Sequence, residues 1–390
     1  AITAMDSADF TALTATQVGS LGTGQIAVID TADMVALGTD DMQALSSAQV
    51  GALSNAQVSA LSSDQFGALG DAQLRGMSAG PLSALTSDAL NVLTAPQFQA
   101  LTTAQIAALT SDQISNLESA DLMSLTTAQI RALSATTIAA LDSADLKLLT
   151  GDQMAALTSV QVQAIESADL MALGSADITQ FSSAQMAALT SDQLAALTTE
   201  EWAALGETQL SGLTAGQLAG LGSDDLNALS ATQFQQLSTA QIAALTSDQL
   251  ATLESADLSA LSTAQLRAIS VANLNALDTT DFANLTGDQV AGLSTAQIRN
   301  LESADLLALG STDISALTSS QVAAMGTEQL AALSTDQLQA LGETQLSALT
   351  AAQLAALSSD DLNTLTGGQF LSLSTAQIAA LTSDQLRNME

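Results

Sequence analysis

The sequence predicts an all-α solenoid of short capped helices, one for each eight-residue repeat, with about 3.4 helices or about 27 residues in each turn. Three observations carry this prediction. The chain of 390 residues divides into 48 consecutive octads from Asp6 to Met389 without an insertion, each octad has the signals of a helix start, and octads 136 residues apart match better than neighbouring ones. We therefore expect one continuous repeat array over residues 1–390.

Each octad carries a local code for a short helix. Position 1 is Ser, Thr, Gly or Asp in most octads, position 4 is mostly Gln or Asp, and positions 5 and 8 are apolar, as in TTAQIAAL from Thr102. Read as a capping box, position 1 is the N-cap and position 4 is N3, while the apolar residues before position 1 and at position 5 have the spacing of a hydrophobic staple. Pro96 and Pro81 fall at positions 3 and 4, within a first turn where a missing N–H is tolerated. Gln105, at position 4, is interpreted first as a capping partner and second as part of a turn-to-turn glutamine ladder.

Two other folds were weighed against short helices. In one continuous helix, eight residues advance about 80° beyond two full turns, so the apolar positions would spiral around the helix and no partner could cover them. A β-solenoid is the other alternative, but positions 5 and 8 do not alternate with period two, and Ala, Leu and Gln favour helix over strand. Short helices fit the pattern best.

A longer repeat is superimposed on the octads. GETQLSGL from Gly206 recurs as GETQLSAL from Gly342, an interval of 136 residues or 17 octads. The super-repeats span approximately 6–141, 142–277 and 278–390, the last one partial, as in a window of a longer chain. Acids at position 4 recur mostly every three or four octads, which matches a turn of about 3.4 octads. The acids are therefore expected on one face of the solenoid.

Octads with acids at both positions 1 and 4 are the candidate sites. Capping carboxylates that complement the helix dipole are one interpretation of them. A ladder of calcium ions held by pairs of hard oxygen ligands is the other, so Ca²⁺ is the possible cofactor. The candidate metal ligands are Glu118, Asp121, Asp142, Asp145, Glu166, Asp169, Glu254, Asp257, Asp278, Asp281, Glu302 and Asp305.

The composition excludes several functions. The chain has 40 acidic and 6 basic residues and a net charge of −34, which repels nucleic acid and anionic membrane surfaces. It has no Cys and no His, which removes the thiol nucleophile and the commonest general base. Because enzymes do not usually repeat a carboxylate dyad along an array, we expect no enzymatic activity. Polar residues interrupt every apolar run, so no membrane span is predicted.

The octad pattern L-[ST]-x-x-Q-[IL]-x-A-L resembles repeat tracts of giant bacterial secreted or cell-surface proteins of the adhesin-like and RTX-like kind. The resemblance implies an extracellular or cell-surface location and a structural or adhesive role. The glycine-rich calcium-binding nonapeptides of RTX tracts are absent. The sequence thus predicts a segment of an extracellular filament, stalk or surface fibre that associates with its own copies or with other surface chains. The alternative is a module that binds calcium or a partner through its acids.

Overall fold

The computed structural model describes residues 2–389, and every octad in that range contains one helix. A 3₁₀ turn at Ile2–Ala4 precedes 48 α-helices of four to seven residues, each beginning at position 2 of its octad. The described residues contain no β-strand. The prediction of an all-helical solenoid with one helix per octad is confirmed.

The chain divides into two compact units, Ala1–Leu197 and Thr198–Glu390. The helices of the first unit are α1 (Ser7–Ala12), α2 (Ala15–Gly19), α3 (Thr23–Ile26), α4 (Thr31–Ala36), α5 (Thr39–Ala44), α6 (Ser47–Gly51), α7 (Asn55–Ala60), α8 (Ser63–Gly67), α9 (Asp71–Gly76), α10 (Ala79–Ser83), α11 (Ser87–Leu90), α12 (Ala95–Ala100), α13 (Thr103–Ala107), α14 (Ser111–Ser115), α15 (Ser119–Ser124), α16 (Thr127–Ala132), α17 (Ala135–Ile138), α18 (Ser143–Leu148), α19 (Gly151–Ala156), α20 (Ser159–Ala164), α21 (Ser167–Leu173), α22 (Ser175–Ile178), α23 (Ser183–Ala188) and α24 (Ser191–Ala195).

The helices of the second unit are α25 (Thr199–Ala204), α26 (Glu207–Gly212), α27 (Ala215–Ala219), α28 (Ser223–Asn227), α29 (Ala231–Gln236), α30 (Thr239–Ala243), α31 (Ser247–Ala251), α32 (Ser255–Ala260), α33 (Thr263–Ala268), α34 (Val271–Leu274), α35 (Thr279–Ala283), α36 (Gly287–Gly292), α37 (Thr295–Asn300), α38 (Ser303–Ala308), α39 (Ser311–Ala316), α40 (Ser319–Ala324), α41 (Thr327–Ala331), α42 (Thr335–Ala340), α43 (Glu343–Ser347), α44 (Ala351–Ala355), α45 (Ser359–Asn363), α46 (Gly367–Leu371), α47 (Thr375–Ala379) and α48 (Ser383–Arg387).

The capping box forms as the octad code predicts. In α13 the backbone N–H of Gln105 donates to the Thr102 hydroxyl at 3.3 Å, and the Thr102 backbone N–H donates to Gln105 Oε1 at 2.7 Å. Pro96 lies in the first turn of α12. Because each box satisfies backbone donors that a helix start leaves free, the chain can begin a new helix every eight residues.

The core of each unit consists of positions 5 and 8. Ile106 and Leu109 of one octad are 0% and 4% exposed, and the same positions are buried along most of the chain. Within a unit most helices pack against the third helix along the chain, for example α13 against α16 and α30 against α33. No helix within residues 2–389 combines the length and apolarity that crossing a membrane requires.

Position 4 glutamines link successive turns in addition to capping, and the links run from the side-chain amide to backbone carbonyls. Gln105 Nε2 donates to the carbonyls of Leu74 and Met77, 31 and 28 residues earlier, at 2.6 and 2.8 Å. Other bonds run forward by 25 residues, such as the Arg75 Nε bond to the Ala100 carbonyl at 3.0 Å. The backward spans of 31 and 28 residues are longer than a turn of about 27 residues, and the forward span of 25 residues is shorter. The amide group of Gln105 therefore caps its own helix and ties that helix to the preceding turn.

Small residues allow the turns to approach closely. A Cβ on Gly51 would lie 2.5 Å from the Gly76 carbonyl oxygen, and one on Gly76 would overlap the Ser47 carbonyl oxygen. Gly174 has a different role: it follows the seven-residue helix α21 and is the one described residue with a positive φ, 105°. A side chain is disfavoured there by the backbone conformation and not by crowding.

Candidate functional site

The doubly acidic octads lie on helices that pack against one another, and we call them the acidic column. They begin at Glu118, Asp142 and Glu166 in the first unit and at Glu254, Asp278 and Glu302 in the second. In the first unit α15 packs against α18 and α18 against α21; in the second, α32 packs against α35 and α35 against α38. The structure therefore brings the predicted site residues together as two sets of three octads, one set in each unit.

The position 1 acids of the acidic column do not all cap their helices. Asp142 Oδ1 accepts the backbone N–H groups of Ala144 and Asp145 at 2.8 and 2.9 Å, and Asp278 makes the equivalent bonds. The four glutamates at this position form no side-chain cap; they are Glu118, Glu166, Glu254 and Glu302. Capping therefore explains the aspartates of position 1 and leaves the glutamates unexplained.

The position 4 acids differ in whether they find a donor. Asp281 accepts the Ser255 hydroxyl at 2.9 Å and the Asp278 backbone N–H at 3.1 Å. Asp121 and Asp257 are each 5% exposed, and no donor within residues 2–389 bonds to their carboxylates. The reason lies in the sequence, because the residue 26 positions before Asp281 is a serine, whereas Asp121 and Asp257 have alanine at that distance.

Burial and neighbouring charges perturb the position 4 acids. Burial, and then the nearby Glu118 carboxylate, raises the pKa of Asp121 from 3.8 to about 6. Burial and Glu254 do the same for Asp257, whose pKa is also about 6. Burial likewise raises the pKa of Asp145 and Asp305. Both effects disfavour a charged carboxylate, so these groups are poorly compensated when ionised.

The calcium ladder remains a prediction, with one limit set by the structure. Within residues 2–389, no group of three or more Asp or Glu side chains lies close enough to hold a metal ion on its own. Any ion bound at the acidic column would therefore need oxygen ligands besides carboxylates.

Sequence reasoning missed the apolar side chains of these same octads. At position 6, Met123, Met171 and Leu307 are 47%, 51% and 51% exposed. They belong to octads that begin with Glu118, Glu166 and Glu302, so exposed apolar side chains and carboxylates occur in the same octads. The sequence contains a signal for this exposure, because position 6 also holds every basic residue of the chain, as expected of a position that faces solvent.

These features define a helical repeat protein in which sequence-local caps and a leucine-rich core are propagated along the chain. The chain belongs to the ALTTAQ repeat family, because repeats of this family match most of its length. The matched segments are residues 2–39, 34–71, 114–143, 127–159, 162–199, 218–254, 250–287, 298–335, 322–359 and 355–390. A comparison with curated protein sequences found no match to the chain.

Proposed function

We propose that the chain is a structural solenoid segment of an extracellular filament, stalk or surface fibre, and that it is bound laterally along its acidic column. The observation that supports this proposal is that exposed apolar side chains occur in the doubly acidic octads of both units, such as Met171 in the octad that begins at Glu166. The resemblance to tracts of adhesin-like and RTX-like surface proteins supports the location. A spacer without a lateral partner has no need of either feature.

The chemistry of the surface specifies the partner. Apolar side chains supply contact area, while carboxylates repel an identical acidic face unless a cation lies between them. The expected partner is therefore another surface chain with basic residues opposite the acidic column, or a second copy of this chain bridged by divalent cations. Nucleic acid is excluded as a partner by the charge of −34.

Neutralising the acidic column tests this proposal. The variant replaces the position 1 acids Glu118, Glu166, Glu254 and Glu302 by Gln, and Asp142 and Asp278 by Asn. Sedimentation velocity with and without 5 mM Ca²⁺, an order-of-magnitude concentration for weak sites, measures association. We expect calcium-dependent association of the native chain and its loss in the variant, with unchanged far-ultraviolet circular dichroism.

A matched control removes six exposed charges outside the doubly acidic octads. It replaces Asp71, Asp152, Asp288 and Asp336 by Asn and Glu207 and Glu343 by Gln. Equal loss of association in both variants would show an effect of net charge alone. Unchanged association in the first variant, or none in the native chain with Ca²⁺ or with a basic surface chain, would contradict a lateral role for the column.

A further inference from the structure

The glutamine links between turns are interrupted at the first octad of each acidic set. Gln113, one octad before Asp121, donates through Nε2 to the carbonyls of Leu82 and Leu85 at 2.9 and 2.8 Å. Gln129, one octad after it, donates to Phe98 and Leu101 at 2.7 and 2.9 Å. The octad between them has an aspartate at the same position, and this side chain is one methylene shorter and carries no amide donor.

Two backbone carbonyls are consequently left without a side-chain donor. By the same offsets of 31 and 28 residues they belong to Leu90 and Leu93, and no side chain within residues 2–389 donates to either. Asp121, which is 5% exposed, stands at the octad position from which the flanking glutamines donate to such carbonyls. This octad therefore lacks the side-chain N–H group with which both flanking octads bond the preceding turn.

A third kind of oxygen lies in the same region. Asn91, which sits between Leu90 and Leu93, donates through Nδ2 to the carbonyl of Asn116 at 2.9 Å, two residues before Glu118. Its Oδ1 atom is buried and has no hydrogen-bond partner. A buried amide oxygen without a donor is costly unless something that is not part of the chain satisfies it.

The second unit repeats the arrangement 136 residues later. Asp257 is buried without a donor, the carbonyls of Leu226 and Leu229 receive no side-chain donor, and Asn227 Oδ1 is buried without a partner. Asn227 Nδ2 donates to the Thr252 carbonyl at 2.8 Å, two residues before Glu254. The two other buried aspartates among the twelve candidate ligands, Asp281 and Asp305, lack this combination; Asp281, for example, accepts a serine hydroxyl.

We propose that the chain has two equivalent calcium sites, one formed by Asp121, Glu118, Asn91 Oδ1 and the carbonyls of Leu90 and Leu93, and the other by Asp257, Glu254, Asn227 Oδ1 and the carbonyls of Leu226 and Leu229. Carboxylate, amide and backbone carbonyl oxygens together are the ligand set of Ca²⁺, which takes six to eight oxygens. Two carboxylates match the charge of one divalent ion. A proton could satisfy only one of the acceptors, and water would leave both negative charges uncompensated.

Isothermal titration calorimetry of calcium binding to the purified chain tests the proposal. The buffer contains about 0.15 M salt, which screens diffuse binding of calcium to the acidic surface. We expect two equivalent sites per chain. Asp121→Asn with Asp257→Asn should lower the affinity at least tenfold, because each change removes a ligand charge. The control pair Asp112→Asn with Asp248→Asn removes the same charge from exposed positions, also 136 residues apart, and should leave both sites intact.

A second pair, Asp121→Gln with Asp257→Gln, separates binding from folding. Glutamine restores the donor of the flanking octads, so this variant should unfold at a higher temperature than the native chain in EDTA and should show no rise in melting temperature on adding Ca²⁺. Absence of two-site binding in the native chain, or equal loss in the control pair, would overturn the proposal. Two-site calcium binding by a native chain that shows no lateral association would contradict only the proposed function.

Discussion

At the scale of single residues, the identity of position 4 decides what its octad contributes. Glutamine has an acceptor for its own helix and a donor for the preceding turn, and Gln105 uses both. Glutamate retains the first role only: Glu201 Oε2 accepts the Thr198 N–H at 2.7 Å, while its Oε1 is buried without a partner. Aspartate is shorter still, and at Asp121 it makes neither bond. Glutamine at position 4 therefore links two turns, whereas aspartate, which is one methylene shorter and has no amide donor, leaves a candidate ion site.

The close approach of turns at Gly76 gives a prediction at this scale. Gly76→Ala should destabilise the chain by about 1–3 kcal/mol, because the added methyl group would overlap the Ser47 backbone and the turns would have to separate. Gly24→Ala is the control: Gly24 lies in α3 of the same unit with open space around its Cα, so alanine should stabilise by up to about 1 kcal/mol through its helix propensity. Urea unfolding of both variants measures the difference. A loss at Gly24 equal to that at Gly76 would contradict the steric account.

At the scale of the helix, the octad code could be read from sequence because its interactions are local. The box joining Thr102 to Gln105 spans three residues, so the caps, the helix starts and the apolar positions were all predictable. The bonds from Gln105 to Leu74 and Met77 were not, because they depend on which carbonyls the next turn places opposite the amide. For the same reason the sequence predicted Asp121 only as one of twelve candidate ligands. It could not show that residue 95 is the neighbour from which a serine hydroxyl would donate to Asp121, and that Ala95 has no such donor.

The bond between turns gives a prediction for α13 and α9, the helix that contains Leu74 and ends before Met77. Gln105→Glu keeps the cap but replaces the donor to the Leu74 and Met77 carbonyls by a buried acceptor, so it should cost about 2–4 kcal/mol at pH 7. Part of the loss should return on acidification, because a protonated Glu can donate again. The measurement is the free energy of unfolding at pH 4.5 and 7, as approximate values either side of a raised carboxyl pKa.

Gln17 supplies the control for that substitution. Its Oε1 accepts the Thr14 N–H at 2.9 Å, and its amide reaches no other turn within residues 2–389. Gln17→Glu should therefore change stability by less than about 0.5 kcal/mol. Similar losses at Gln17 and Gln105 would mean that the second hydrogen-bond set contributes little, and that the leucine-rich core alone holds successive turns together.

At the scale of the whole molecule, the 136-residue period recurs in detail. Asp121 and Asp257 share their burial, their lack of donors, their raised pKa and their neighbouring glutamate, and Asn91 and Asn227 share an unpartnered oxygen. The sequence alone showed this period as a similarity between octads. The structure adds that these two pairs, Asp121 with Asp257 and Asn91 with Asn227, have equivalent surroundings, so what holds for one member of a pair is expected of the other.

This equivalence makes the two aspartates act together on the pH dependence of stability in metal-free buffer. Both have a folded-state pKa of about 6 against an ordinary value of 3.8, because burial and a neighbouring glutamate disfavour the charged form. Between these values the folded chain binds more protons than the unfolded chain, so stability should fall as the pH rises from about 4 to about 6 and remain lower above that. A rise from 3.8 to about 6 corresponds to about 3 kcal/mol per site, and solvent screening should reduce the loss to on the order of 1 to 2 kcal/mol.

The measurement is denaturant unfolding in EDTA across roughly pH 4 to 7.5, a range that covers these pKa values. The other carboxylates of this highly acidic chain also titrate in part of this range, so they add their own pH dependence of stability. Asp121→Asn with Asp257→Asn isolates the two sites: it should flatten the slope between pH 4 and 6 and make the chain more stable than the native one at pH 7. The exposed pair Asp112→Asn with Asp248→Asn should keep the native slope. If the first pair kept it as well, the two buried carboxylates would be compensated in solution, and the general repulsion among forty acids would account for the pH dependence.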